Sequence, residues 1–314
     1  MDLKLYQYLN ERNLNFKSLL EATPSKHYKV YKIPKKRLGF RTIAQPTSAV
    51  KIIQKEIVDY LTPKVSIHTS ATAYVPGRSV KDNALVHVKS NFLLKVDLEN
   101  FFNNITPKML FKSLKKQGIV VSGVDLIVLQ QFLFWNISKK RSGKLALSVG
   151  APSSPFVSNV VMLSFDERMT KLCRKSGINY SRYADDLTFS TTQKGLLFEH
   201  LFVVRKALKK EFGARLVLNE SKTVFSSKAH NRHVTGITLT NNNKISLGRE
   251  RKRYISALVH KFKLGLLDVE DTLHLQGLIS YANHIEASFV QKMSIKYGDN
   301  VLTEIIKYSG ENDV

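Results

Sequence analysis

Cysteine is nearly absent: Cys173 is the sole one in 314 residues, so no internal disulfide can staple the fold. Long apolar runs are missing too. No stretch approaches the roughly 18 apolar residues of a membrane span, and the opening MDLKLYQYLNER carries charges where a secretory signal needs an apolar core. These absences point to a cytoplasmic protein with no membrane partner. Proline and glycine number only 8 and 15, and no repeat or low-complexity tract interrupts the chain, which excludes fibrous, linker-rich and disordered classes. With 43% hydrophobic residues the chain can bury a real core. On a prior of roughly 150 residues per domain it has room for about two domains or one large lobed one, and any domains must interleave through short connections.

Acid is in short supply: 25 Asp and Glu face 49 Lys and Arg, a net charge of +24. Such an excess repels itself unless a polyanion is nearby, which makes nucleic acid the default partner. The excess is also clustered. Residues 26–41 hold seven Lys/Arg and no acid, and residues 244–263 hold seven against Glu250 alone. Tyr28, Tyr31, Phe40 and Tyr254 interleave with these runs, which favours a binding surface over a uniformly solvated basic one.

Periodicity supplies the coarse elements. Residues 29–34 and 40–45 read as a hairpin turning at Leu38-Gly39, and 47–61 as a helix with Val50, Ile53, Ile57 and Leu61 on one face. FLLKVD, 92–97, reads as a buried strand, and Thr106-Pro107 as a capping residue with an N1 proline. LALSV, 145–149, reads as a strand entering a turn, followed by a helix from about Pro155 to Cys173. NYSRYADDLTFS, 179–190, has the pattern of a hairpin with aspartates at its tip. A helix over 196–212, a strand over 214–218 and β segments near 222–226, 233–239 and 244–247 follow, and the chain reads as helical from Arg249 onward.

Chemistry centres on Tyr183-Ala184-Asp185-Asp186. Adjacent carboxylates at a tip repel each other unless a cation sits between them, although an Asp-Asp pair in a turn is common and by itself says little. Asp97 strengthens the case, because it ends an apolar strand where an unpartnered carboxylate is costly. One carboxylate on a strand and two on a hairpin would hold two Mg²⁺ ions about 4 Å apart for in-line phosphoryl transfer.

FLLKVDLENFFNNIT, SVGAPSSP and RYADDLTFS, in that order, resemble the palm motifs A, B and C of reverse transcriptases. Asn83-Ala84-Leu85-Val86-His87 resembles the NAxxH segment of bacterial retron reverse transcriptases, and Val234-Thr235-Gly236 their VTG segment. The resemblance runs from about Tyr28 to Tyr297. It implies an α+β right-hand polymerase with fingers, a palm of helices and antiparallel sheet, and an α-helical thumb. The expected segments are N-terminal helices and fingers over 1–90, palm over 91–105, a fingers and palm insertion over 106–149, palm over 150–240 and thumb over 241–314.

Carried residue by residue, the resemblance makes Asp97 and Asp185 the principal metal ligands. Asp186 is the flanking carboxylate and the Leu98 carbonyl a further ligand. Phe102 matches the steric gate that excludes a ribose 2′-OH, leaving Phe101 to the core if the two point opposite ways on an extended segment. Lys35 and Arg41 match the fingers cations that grip the dNTP triphosphate. Gly150 matches the motif B glycine, which admits the nucleotide to the backbone. Lys222 matches the motif D lysine that protonates pyrophosphate. Val149 stands where many relatives have Gln, so fidelity does not carry over. Asn83 and His87 are expected to hold the fold or RNA.

Beyond Gly248, a helix with Ile255, Leu258, Val259 and Phe262 on its apolar side looks like the thumb. Arg249, Arg251, Lys252, Arg253, Lys261 and Lys263 would meet RNA phosphates. The implied activity is RNA-directed DNA synthesis on a cognate noncoding RNA, primed from a guanosine 2′-OH and leaving a branched RNA–DNA product, msDNA. The implied setting is antiphage defence with an operon-encoded effector protein. Two other readings stay open: a reverse transcriptase of another bacterial lineage, such as a group II intron type, and a non-catalytic RNA-binding scaffold.

Overall fold

The computed structural model describes residues 2–12, 15–35, 39–140 and 142–309. In chain order the elements are helices α1 (Leu5–Arg12) and α2 (Phe16–Glu21), strands β1 (Tyr28–Pro34) and β2 (Phe40–Pro46), α3 (Ser48–Leu61) and α4 (Val80–Leu85). Next come β3 (Phe92–Asp97), α5 (Phe101–Asn104), α6 (Pro107–Lys116), α7 (Gly123–Leu133), β4 (Trp135–Asn136), β5 (Leu145–Ala146) and α8 (Ser154–Lys175). Then follow β6 (Asn179–Tyr183), β7 (Asp186–Thr191), α9 (Leu196–Phe212), β8 (Val224–Ser227), β9 (Arg232–Val234), β10 (Ile237–Leu239), β11 (Ile245–Ser246), α10 (Arg249–Lys263), α11 (Val269–Tyr297) and α12 (Asp299–Lys307).

These elements form two compact units, one of residues up to Arg78 with Leu94–Phe225, the other of Ser79–Leu93 with Ser226 onward. The first carries the basic hairpin, in which β1 and β2 pair from Tyr28 opposite Pro46 to Pro34 opposite Phe40. The Leu38 expected in its turn lies outside the described residues. The α3 stripe of Val50, Ile53, Ile57 and Leu61 is buried as its spacing predicts. Gln54 joins it, donating to the Tyr28 hydroxyl at 2.9 Å and the Phe132 carbonyl at 2.7 Å. A four-stranded sheet in the order β6-β7-β3-β8 holds the expected Asp97 strand and the aspartate hairpin.

Three expectations change. LALSV is a strand only over Leu145–Ala146. The Leu147 N–H turns to the Ile105 carbonyl and the Val149 carbonyl takes the Ala44 N–H, so no one neighbour offers a full ladder. Residues 214–218 form no strand either, because Gly213 (φ +63°) ends α9 in a turn and only Leu218 bridges to Leu98. Thr106 does sit at the N-cap of α6 before Pro107, but its side chain makes no capping bond.

In the second unit, 233–239 is a hairpin of β9 and β10 and not one strand. Val234 faces Ile237 across Thr235 and Gly236, whose φ values of +47° and +79° are both left-handed, as a two-residue type I′ loop requires. Ala84, Leu93, Val234, Ile237, Leu239, Ile255, Val259, Leu275, Ile279 and Ile285 share one core with the C-terminal helices. Each large aliphatic side chain buried there stabilises the unit by about 1.5–3 kcal/mol. That shared core is why this unit starts at Ser226 and takes in 79–93. α11 is interrupted at Glu286 (φ −146°, ψ 74°). The Glu286 carboxylate accepts from the Ser246 hydroxyl, the Leu247 N–H and the Lys252 ammonium, tying β11 and α10 to the kink. Among the described residues no helix is long and apolar enough to cross a membrane.

Candidate active site

Tyr183 faces Asp186 across a two-residue loop, Ala184-Asp185. Ala184 adopts φ +58°, a left-handed conformation that costs an L-residue about 1 kcal/mol. What holds it is Arg182, fully buried beneath the tip. Its guanidinium donates to the Ala184 carbonyl at 3.2 Å, to Asn159 Oδ1 at 3.0 Å and to both oxygens of Asp166, the shortest at 2.7 Å. Tyr180 adds its hydroxyl to Asp166 at 2.7 Å. Burial alone would draw the proton from Arg182, but the Asp166 carboxylate more than offsets this and holds it above its usual range. The Arg182 backbone is fixed as well: its N–H donates to the Ser70 carbonyl and its carbonyl accepts the Thr72 N–H, each at 2.8 Å.

Asp97 ends β3, and the next N–H, of Leu98, donates to the Asp185 carbonyl at 3.1 Å, so the strand end and the hairpin tip are stitched together. The carboxylates repel each other. Burial, then Asp97, pushes the Asp185 carboxyl above its usual range; burial, then Asp185 and Asp97, pushes Asp186 up to about 6. Lys222 opposes this, its ammonium 3.0 Å from both Asp97 oxygens. Lys95, lowered by burial, and Arg41 add positive charge toward Asp186 and Asp185 respectively. Tyr74, at φ +60°, stands 6.5 Å from the Tyr183 ring and is raised by burial and then by Asp185.

Hard carboxylate oxygens crowded against their own charge suit a hard divalent cation, and in that chemistry the residues fit one. Among the described residues, no three His, Cys, Asp or Glu side chains close around a single point.

The other expected site residues divide. Arg41 faces Ile33 in the hairpin register, and Lys35, whose N–H donates to the Gly39 carbonyl at 2.9 Å, falls on the same face by alternation. Phe102 is partly exposed with its ring edge-on to the buried Phe101 at 5.3 Å, but both lie on the short helix α5, which corrects the extended segment expected there. Gly150 sits at φ +122°, and a Cβ would lie 3.1 Å from Ile43 Cγ2 and 3.3 Å from the Ala44 carbonyl oxygen. Its packing against β2 therefore demands glycine in its own right.

Asn83 and His87 have no exposed surface, which corrects the expectation that they contact RNA. Asn83 donates to the Thr235 hydroxyl at 3.4 Å, and that hydroxyl donates to the Val80 carbonyl at 3.3 Å, so NALVH and VTG meet in one core. Burial pushes His87 down to about 3 and keeps it neutral. On α10, Arg249, Arg253, Lys261 and Lys263 are exposed. Arg251 is committed to the Gly236 carbonyl and Tyr281, and Lys252 to Glu286 at 2.6 Å. Sequence reasoning missed Lys95, Tyr74 and the Arg182–Asp166 pair. A lysine inside FLLKVD and an aspartate on the apolar face of α8 were the available signals.

The chain resembles known proteins over most of its length. The family pattern of reverse transcriptase (RNA-dependent DNA polymerase) matches residues 33–239. Retron Ec83 reverse transcriptase of Escherichia coli is 52% identical over 309 residues, covering 98% of this chain and 99% of that protein. Retron Ec73 reverse transcriptase, also of E. coli, is 31% identical over 94% of this chain and 95% of its own length. Apo telomerase from Candida tropicalis is similar in fold, with a TM-score of 0.51 at 13% identity over 95% of this chain and 66% of the telomerase. With the family pattern matched over 33–239 and a full-length relative at 52% identity, the chain belongs to the retron reverse transcriptases, RNA-directed DNA polymerases of α+β reverse-transcriptase fold.

Proposed function

We propose that the protein copies part of a cognate noncoding RNA into DNA from an RNA 2′-OH, leaving a branched msDNA product. The stitching of Asp97 to the Asp185-Asp186 tip through Leu98 is the observation that carries the catalytic half of this reading. In it Asp97, Asp185, Asp186 and the Leu98 carbonyl would hold two Mg²⁺ ions, which would supply activation of the attacking hydroxyl and offset charge on the transferring phosphate.

This chain's own residues do the rest. Lys35 and Arg41, on one hairpin face, grip the triphosphate. Gly150 keeps the backbone beside it free of a side chain. Phe102 closes the space beneath the sugar, and Lys222 delivers a proton to the leaving pyrophosphate. The basic hairpin serves as fingers, the four-stranded sheet as palm and α10 to α12 as thumb. Exposed Arg249, Arg253, Lys261 and Lys263 meet RNA phosphates there. An operon-encoded effector and a role in antiphage defence complete the reading, supported by membership of the retron group.

Phe102→Ala should raise rNTP over dNTP incorporation by about 10- to 100-fold, since discrimination at this position is steric. Single-nucleotide insertion of matched dNTP and rNTP on one primer measures it, and an unchanged ratio places the gate elsewhere.

Choice of RNA should travel with the second unit. Exchanging residues 79–93 and 226–314 together for those of the Retron Ec73 relative should redirect synthesis to that relative's RNA, because the two segments share one core and must be moved as a pair. A folded, active chimera that still starts only on its original RNA would place recognition in the first unit.

A further inference from the structure

α9 carries two phenylalanines one turn apart, Phe198 and Phe202, that are 61% and 68% exposed. The same helix buries Leu197, Leu201, Val204 and Leu208 on its other side, so the two rings are surplus to its packing. Phe225 of β8 joins them, its ring 4.6 Å from Phe198, and the Arg205 guanidinium lies 5.4 Å over Phe202. β8 is the outer strand of the catalytic sheet, so the aromatic face runs from a helix to a sheet edge.

The charge around the rings selects the partner. Lys206, one turn beyond Phe202 on the same helix, is exposed, and so is Lys194 just ahead of the helix. Glu220 is already paired with Arg205 at 2.8 Å, and Glu199 is the one acid in the first turn of α9. Exposed aromatic rings with cations beside them match unpaired nucleic acid, whose bases stack on rings while its phosphates follow the cations.

We propose that the Phe198, Phe202 and Phe225 face holds an unpaired stretch of the templating RNA outside the catalytic centre. In RNA-directed synthesis the DNA is paired as it is made, and the unpaired bases belong to RNA still to be copied. The proposal rests on that reading of the activity.

The test titrates a fluorescein-labelled oligouridylate against the full chain, wild type and Phe198→Ala/Phe202→Ala, over a salt series. Primer extension on a short pre-annealed RNA template runs in parallel. The double variant should bind about tenfold or more weakly, with an unchanged slope of log affinity against log salt and unchanged extension. Lys206→Ala should lower that slope by about one. Oligouridylate containing 4-thiouridine should crosslink to peptides carrying these phenylalanines. Unchanged affinity of the double variant overturns the proposal. So does a variant that keeps RNA affinity but loses self-association or a bound protein, which would assign the face to protein. Absence of extension by the wild type would sink the reading of the activity itself, so the two failures are distinct.

Discussion

Asp185→Asn abolishes DNA synthesis in this account, by at least about 10³-fold, and Asp97→Asn does the same, while fold and RNA binding persist. Each removes a charge from a site whose work is electrostatic. Primer extension with Mg²⁺ measures it, and full extension by either variant would contradict the assignment. The same carboxylates carry an opposite prediction for stability. Asp186, exposed at the tip of the hairpin, is raised from the ordinary carboxylate value to about 6 by partial desolvation and by its neighbours Asp185 and Asp97. The fold therefore favours the protonated form: the contribution of this carboxyl is fully present below about pH 4 and lost as pH rises through about 6. Asp186→Asn should raise the melting temperature modestly at pH 7 in chelator, solvent screening keeping the effect small. The gain should vanish near pH 4. A variant less stable than wild type at pH 7 would show that the repulsion is already compensated.

Arg182→Met should be the most destabilising single change at the site. It strands the Asp166 carboxylate, fully buried and bonded to both the guanidinium and Tyr180. Breaking a buried pair from one side costs about 3–5 kcal/mol. Arg182→Lys separates structure from catalysis: one ammonium can keep the charge pair with Asp166 but cannot also reach Asn159 and the Ala184 carbonyl. That variant should fold, retain its KM for dNTP and lose kcat by about tenfold or more, because the strained tip is no longer held. Thermal melts and steady-state extension give both readouts. A Lys variant with wild-type kcat would mean that the tip holds itself.

What the sequence made legible follows from local pattern. The run FLLKVD, the β-rich segments on either side of Ala184-Asp185 and the stripe from Val50 to Leu61 each contain their own evidence, namely period and turn chemistry. What it hid depends on distant partners. Arg182 reads as one more cation in a basic chain until α8 brings Asp166 beneath it. The segments 145–149 and 214–218 have the residues of strands, but the first finds a paired neighbour only as far as Ala146 and the second bridges only around Leu218. Asn83 and His87, polar and helical, could face RNA or core, and only Thr235 on a distant hairpin decides. The break at Glu286 has neither proline nor glycine to announce it; its cause is a carboxylate drawn to Ser246, Leu247 and Lys252.

The central claim is that this chain makes a branched DNA on its own RNA. Its most direct test is to sequence the nucleic acid that co-purifies with the full chain, before and after RNase. The account predicts one defined DNA sequence complementary to one co-purified RNA, absent from Asp185→Asn preparations, whose 5′ end keeps a ribonucleotide remnant after RNase. Heterogeneous RNA fragments with no attached DNA would contradict it.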